Sequence, residues 1–271
     1  MIELLAPALV ACLLLACILS YFGLHVLLRE VIFVDLALAQ LAALGAAVGH
    51  LLSGHTDSFA TYLYSFGFTL AGAGIFALAR PARTRLPQEA LIGIVYGVSA
   101  ALVILLVSKS ALDRNEVESM LTGRLLFAEW GEIGAMALVF GAVALLHFAL
   151  RRQFLEISEQ SRIHTWPTRH QKILDFVFYA SFGVVVTSAV QLSGVLVVFG
   201  LLIVPASCAA IFFASNSNRL LAGWLIGTIS SSAGIAASAI WDLPTGAAVV
   251  AALSVAFALA VAGSIFSLTP E

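Results

Sequence analysis

The sequence predicts an all-α protein, a polytopic membrane helix bundle of about eight or nine transmembrane helices, and three observations carry that prediction. Of its 271 residues 61% are hydrophobic and 10% charged, with a mean hydropathy of +1.05, whereas soluble domains lie near about 45–50% apolar and about 25% charged. Apolar runs repeatedly reach the roughly 20 residues that cross a hydrocarbon core about 30 Å thick. Basic residues also fall on alternate connections: Arg29, Arg80, Arg83, Arg85, Arg151, Arg152, Arg162, Arg169, Lys172 and Arg219, ten of the 13, share one side. By the positive-inside rule that side is the cytoplasm. A multi-pass membrane protein follows, with its N-terminus outside and its C-terminus inside.

The candidate spans run in order from about Leu4 to Leu28, Ile32 to Leu52, Phe59 to Ala79, Glu89 to Ser108, Ile133 to Leu150, Leu174 to Val190, Gly194 to Ala214, Leu220 to Ile240 and Gly246 to Phe266. Only a few residues around Gln191 and Ser193 divide the sixth from the seventh, which leaves eight or nine. The opening MIELL lacks a basic n-region and is not read as a cleavable signal. No stretch between spans is long enough to bury a core of its own, so residues 1–271 read as a single transmembrane domain. The polar segment Lys109 to Glu132 has Val117, Met120, Leu121 and Leu125 at roughly helical spacing. It reads as a short amphipathic helix on the outer surface, with Gly123 suited to a bend and Trp130 to an interface anchor. The segment Arg151 to Lys172 carries Pro167 and mixed charge and reads as an inner loop. The second span and the stretch Gly227 to Ala239 are nearly all small residues, the composition that lets membrane helices approach closely.

The second span raises a chemical question. Its first half, IFVDLALAQLAALG (Ile32 to Gly45), places Asp35 and Gln40 among apolar residues, where an ionisable group costs at least ~2.5 kcal/mol and normally faces protein or a water-filled path. Five residues turn a helix by about 500 degrees, so the two point about 140 degrees apart. Asp35 lies ~4.5 Å into the span, within reach of Arg29 or His25, and Gln40 ~12 Å in, close to mid-bilayer. At that depth an amide needs a partner in protein or a wet pathway. Other polar groups read as structural. Glu89 opens the fourth span, where an acid suits the helix dipole. His50, His55 and Asp57 read as a solvated outer loop, and His147, His164 and His170 show no ligand spacing. Cys12, Cys17 and Cys208 read as small packing residues. The chain has no GxxxxGK[ST] loop, HExxH helix or GxSxG elbow, which argues against a self-powered pump or an intramembrane protease of those types.

Three stretches, in order, resemble the permease subunits of the metal-type family of bacterial ABC importers, which handles zinc, manganese or iron. GLHVLLREVIFVDLALAQLAALG (Gly23 to Gly45) resembles the family's first loop and its helix of the form GDALSHAVLPG. PQEALIGIVYG (Pro87 to Gly97) resembles its acid-then-IGI segment, and LSGVLVVFGLLIVPASCAA (Leu192 to Ala210) its GVLL...LLIIPAATAR segment. The resemblance covers nearly the whole chain. The third stretch supports it physically, because Pro205 inside an apolar run removes a helix hydrogen bond and SNSNR (Ser215 to Arg219) follows with helix-capping side chains.

The resemblance implies a permease with no catalysis or cofactor of its own. It would pair with a second permease subunit as a homodimer, with ABC ATPase subunits inside, an extracytoplasmic substrate-binding protein outside and membrane lipid around. No nucleic-acid partner is expected. It also implies an ATPase-coupling region at Pro205, Ser215, Asn216, Asn218 and Arg219, and a substrate pathway past Asp35, Gln40 and His25. A gap-free match sets Gln40 at the family's histidine and Leu36 at its acid, with Asp35 one position early; the family's later basic residue is Ala210 here. Glutamine is a poor zinc ligand, so the stretch points to the transporter type more than to the ion. The alternatives are an importer of the same architecture for a chelated metal or vitamin, and an ion-coupled secondary transporter in which Asp35 titrates.

Overall fold

A computed structural model describes residues 2–53, 59–78, 87–107, 123–160 and 168–267. Its helices are α1 (Ile2–Arg29), α2 (Val34–Ser53), α3 (Phe59–Leu78), α4 (Gln88–Val107), α5 (Trp130–Ala149), α6 (Arg151–Gln160), α7 (Arg169–Phe212), α8 (Asn216–Trp241) and α9 (Thr245–Ser267), with a 3₁₀ turn at Leu125–Phe127. All described regular structure is helical, as composition predicted. Eight of these helices are long and apolar enough to cross a membrane.

One of the eight is long enough for two spans. α7 runs for 44 residues, about 66 Å if straight and twice the hydrocarbon thickness. It breaks at Gly194, whose φ of 78° and ψ of 159° lie outside the helical region and in space that side chains disfavour. The pieces 169–193 and 195–212 correspond to the sixth and seventh sequence spans. The break falls here and not at Pro205, through which the helix continues. A second glycine serves the break. Gly123, at φ +68°, lies so close that a Cβ there would collide with the Ser193 carbonyl carbon and, at 2.5 Å, the Gly194 nitrogen. The Arg124 N–H then donates to the Leu192 carbonyl at 2.9 Å, which satisfies a helix-end acceptor that lipid could not. Gly123 therefore makes the expected bend, and Trp130 is exposed as an anchor should be. Of the amphipathic helix expected around it, Val117, Met120 and Leu121 lie outside the described residues; Leu125 is buried in the 3₁₀ turn.

The chain forms two compact units, each assembled from separate segments: Met1–Leu27, Glu118–Ala144 and Ala189–Glu271 in the first, Leu28–Val117 and Leu145–Ser188 in the second. In the first unit, α1, the second piece of α7 and α8 meet at backbone distance. A Cβ on Gly23 would run into the Leu202 carbonyl oxygen, and one on Gly227 would stand 3.4 Å from the Pro205 ring. Ser20 Oγ donates to the Gly223 carbonyl at 3.3 Å and Trp224 Nε1 to the Cys17 carbonyl at 2.9 Å. Cys12 and Cys208 are buried there as packing residues. α8 turns into α9 at Asp242, where Ser238 Oγ donates to the Leu243 carbonyl at 2.7 Å.

In the second unit, α2 lies against α3 through Gly45 and Gly49. A Cβ on Gly45 would sit 2.5 Å from the Tyr64 oxygen and 2.7 Å from the Ser65 Cα, and one on Gly49 would sit 2.8 Å from the Thr61 Cα. The segment after α5, read from sequence as a loop, is partly helical, because RRQFLEISEQ buries Phe154, Ile157 and Ser158 and exposes its charges as α6.

Close packing at Gly45 makes a direct prediction. Gly45→Ala should lower the melting temperature of the detergent-solubilised protein by an amount equivalent to about 1–3 kcal/mol of overpacking, while Gly93→Ala, where a Cβ meets nothing within 4 Å, should leave it unchanged. Equal melting temperatures in the two variants would contradict the α2–α3 contact.

Candidate functional site

The start of α2 is set by the acid that opens α4. Glu89 Oε1 accepts the Phe33 N–H at 3.1 Å, so the expected helix-end acid serves the neighbouring helix as well. Asp35, in the first turn of α2, is buried at 2% exposure, and the Leu36 and Asp35 backbone N–H groups act on its carboxylate. Arg29, expected as its partner, turns elsewhere. Asp35 Oδ1 and Glu89 Oε2 are both buried without a hydrogen bond.

Gln40 lies on a different face. The half-buried positions of α2 include Leu36, Gln40, Ala43, Ala46 and His50, which recur with the helical period along one stripe. Gln40 is thus a partly open amide near the middle of the span. No hydrogen bond to it occurs among the described residues. Asp35, about 140° round the helix from Gln40, is buried where Gln40 is half-buried. His50, at the outer end of the stripe, has a buried Nδ1 without a hydrogen bond. His55 and Asp57 lie outside the described residues. His25, the third pathway candidate, belongs to the first unit, where its ring stands edge-on to Tyr21 with centroids 4.8 Å apart.

The principal polar cluster went unforeseen. Arg29 closes α1 and gives Nη1 to Asp175 Oδ1 at 2.7 Å and Nε to Ser158 Oγ at 2.9 Å, with both side chains of the ion pair at 2% exposure or less. Its guanidinium lies 3.9 Å from the centroid of Phe178, a cation–π contact in a desolvated setting. Ser158 Oγ passes its own proton to the Phe154 carbonyl at 2.7 Å. Beside it His147 stacks on Phe154, with centroids 4.4 Å apart, and bonds the Ser181 hydroxyl at 2.7 Å. Ser181 already donates to the Phe178 carbonyl, so the imidazole Nε2–H is the donor. The available signal was Asp175 itself, an acid inside the apolar run Leu174 to Val190.

The candidate coupling region leaves the first unit's packed core. Pro205 is buried against α8, and the chain emerges at Phe213 and Ala214 to turn at SNSNR. Ser215 takes the N-cap position of α8, but its hydroxyl makes no capping bond. Arg219 holds the turn instead, donating Nε to the Phe213 carbonyl at 2.7 Å. Ser215 and Asn218 are exposed and Asn216 is half-buried, a polar knuckle on a rigid stem.

Breaking the buried pair should be costly. Asp175→Ala is expected to destabilise by about 3–5 kcal/mol, because it strands a buried guanidinium, whereas Arg29→Met combined with Asp175→Leu should recover most of that loss in a thermal melt. A double variant no more stable than Asp175→Ala would contradict this account.

Known proteins agree with this arrangement. The family described as the ABC 3 transport family matches residues 1–264. The uncharacterized membrane protein slr2045 of Synechocystis sp. is 24% identical over 260 residues, 96% of this chain and 90% of that one. The manganese transport system membrane protein MntC of Listeria monocytogenes is 26% identical over 235 residues, 82% of this chain and 81% of that one. Among solved structures, PsaBC from Streptococcus pneumoniae in complex with Fab shares the fold, with a TM-score of 0.76 at 19% identity over 95% of this chain and 90% of that one. With its membrane-spanning helices and a match running from the first residue to α9, the chain belongs to the ABC 3 transport family of transporter permeases.

Proposed function

We propose that this chain is the membrane-spanning subunit of an ATP-driven importer for a divalent transition metal, acting over residues 1–271 as a single permease domain. Two copies form the pathway. An extracytoplasmic binding protein delivers the metal from outside, and two ATPase subunits drive the cycle from inside. The match over residues 1–264 to the ABC 3 transport family supports the transporter type, and relatives named for manganese transport support the metal. The ten of 13 basic residues on alternate connections support an N-terminus outside and the SNSNR knuckle inside.

One observation carries the pathway: Gln40 offers a half-buried amide near mid-span with no hydrogen bond among the described residues. Its oxygen is a hard donor, better suited to manganese than to zinc, and a single amide lets the ion pass without tight ligation. Asp35 is packed off this stripe and acts beside the path, not in it. At the inner end, Arg219 and Asn216 transmit ATPase closure to the Pro205 stem held by α1 and α8.

Three measurements test the reading. In proteoliposomes holding the full transporter, Gln40→Leu should cut manganese uptake by about tenfold or more, roughly 1.4 kcal/mol of barrier, with normal assembly; normal uptake overturns the pathway assignment. Asn216→Glu with Arg219→Glu should uncouple ATP hydrolysis from uptake, and unchanged coupling removes the knuckle from the docking surface. In a cysteine-free background, a cysteine at exposed Glu129 should react with an impermeant thiol reagent from outside, and one at exposed Gln153 should not. The reverse labelling inverts the topology.

A further inference from the structure

We infer that the corner where α5 passes into α6 is a binding site for an anionic phospholipid, with Arg151 and Arg152 holding the headgroup phosphate and Leu145 and Phe148 the upper part of an acyl chain. The apolar run that starts at Ile133 ends at Leu150. The two arginines therefore stand where hydrocarbon gives way to headgroups, whichever side is the cytoplasm. The backbone keeps its helical bonds through the corner, from the Leu150 N–H to the Leu146 carbonyl at 3.1 Å and from the Phe154 N–H to the Leu150 carbonyl at 3.0 Å. One face is thus continuous across it. Leu145, Phe148, Arg152, Glu156 and Glu159 recur on that face at helical spacing and are all exposed, Leu145 at 71% and Phe148 at 64%.

The order along this face matches a lipid read from tail to water: apolar side chains, then cations, then acids. The Arg151 guanidinium lies 4.5 Å from the centroid of the Phe148 ring, a stacking that orients its plane and leaves its N–H fork for a phosphate. The side chains of Arg151 and Arg152 make no hydrogen bond or ion pair among the described residues. Glu156, one turn beyond Arg152, is engaged by Gln160 Nε2 at 3.2 Å. The opposite face fixes the corner in place, since Phe154 stacks on His147 and Ser158 takes the Arg29 Nε–H. A docking protein in water could meet the arginines but not Leu145, which lies ~9 Å back along the apolar run. An anionic lipid reaches both, and basic residues at a membrane surface attract such headgroups.

Mass spectrometry of the full chain, released intact from nanodiscs of equal phosphatidylglycerol and phosphatidylcholine with no ATPase or binding protein present, tests the site apart from the transport reading. The wild type should retain phosphatidylglycerol over phosphatidylcholine by about threefold or more. Arg151→Gln with Arg152→Gln should erase that preference, and Phe148→Ala, which keeps both charges, should lower it. Arg169→Gln with Lys172→Gln, which removes the same charge from the start of α7, should leave it unchanged, and inorganic phosphate should not displace the lipid. A wild type without the preference overturns the site even if no variant folds, as does a wild-type ratio in the folded arginine variant or in Phe148→Ala. An equal loss in the α7 variant assigns the preference to overall charge, and displacement by phosphate assigns the corner to free anions. Retained lipid with lost ATPase binding in a parallel pull-down of the arginine variant gives the corner to the ATPase, and each of these three results overturns the proposal.

Discussion

The buried ion pair between Arg29 and Asp175 constrains everything around it in the second unit. Taking a guanidinium and a carboxylate out of water costs several kcal/mol each, repaid only when geometry is good and the remaining donors find partners. Here the contact is 2.7 Å long, Ser158 receives a second donor and Phe178 covers the cationic plane, while Nη2 is buried with no hydrogen bond among the described residues. Three elements are thereby pinned together: the end of α1, the amphipathic α6 and the first turns of α7. α2 begins only a few residues later, after Glu30 reverses the chain at a φ of 57°. The position of Asp35 against α4, and the rotation that leaves Gln40 half open, descend from that anchorage.

Elsewhere small residues do what charge does there. Lipid gives helices no hydrophobic reason to associate, so close backbone approach supplies the attraction. Gly23 under the Leu202 carbonyl, Gly223 and Gly227 beside Pro205, and Gly45 and Gly49 on α3 are all such contacts. The most exposed described helices, α4 and α9, retain broad apolar faces, as a protein surrounded by lipid requires. Membership of the ABC 3 transport family sets aside the ion-coupled secondary transporter that Asp35 alone had suggested.

The legibility of the sequence varied with the kind of signal. Helices and their limits were readable because apolar length has one interpretation in a bilayer, and the divergence of Asp35 from Gln40 was readable because it needs only the helical repeat. The break in α7 was harder. Its region was marked by Gln191 and Ser193, but proline is the familiar breaker, and Pro205 proved to lie in continuous helix while Gly194 carries the non-helical backbone. Asp175 could not be assigned a role, since its partner stands 146 residues away and nothing local distinguishes a paired acid from a stray one. Ser215 misled for the opposite reason: a serine in the right place supplies the cap's position without its bond, because Arg219 already holds the turn. Glu89 was placed correctly on its own helix, but its service to α2 is a tertiary fact.

The seam between α2 and α3 bears on how such a machine could move. Where two helices touch through side chains, one can roll or slide over the other at modest expense. At Gly45 and Gly49 the main chain of α3 lies directly against α2, and a turn of either helix would drive a bulkier neighbour into that seam. Gln40 therefore cannot be swung in or out by spinning α2 alone. Any stroke that changes what it faces must carry both helices as a paired plank, with the hinge lying beyond them.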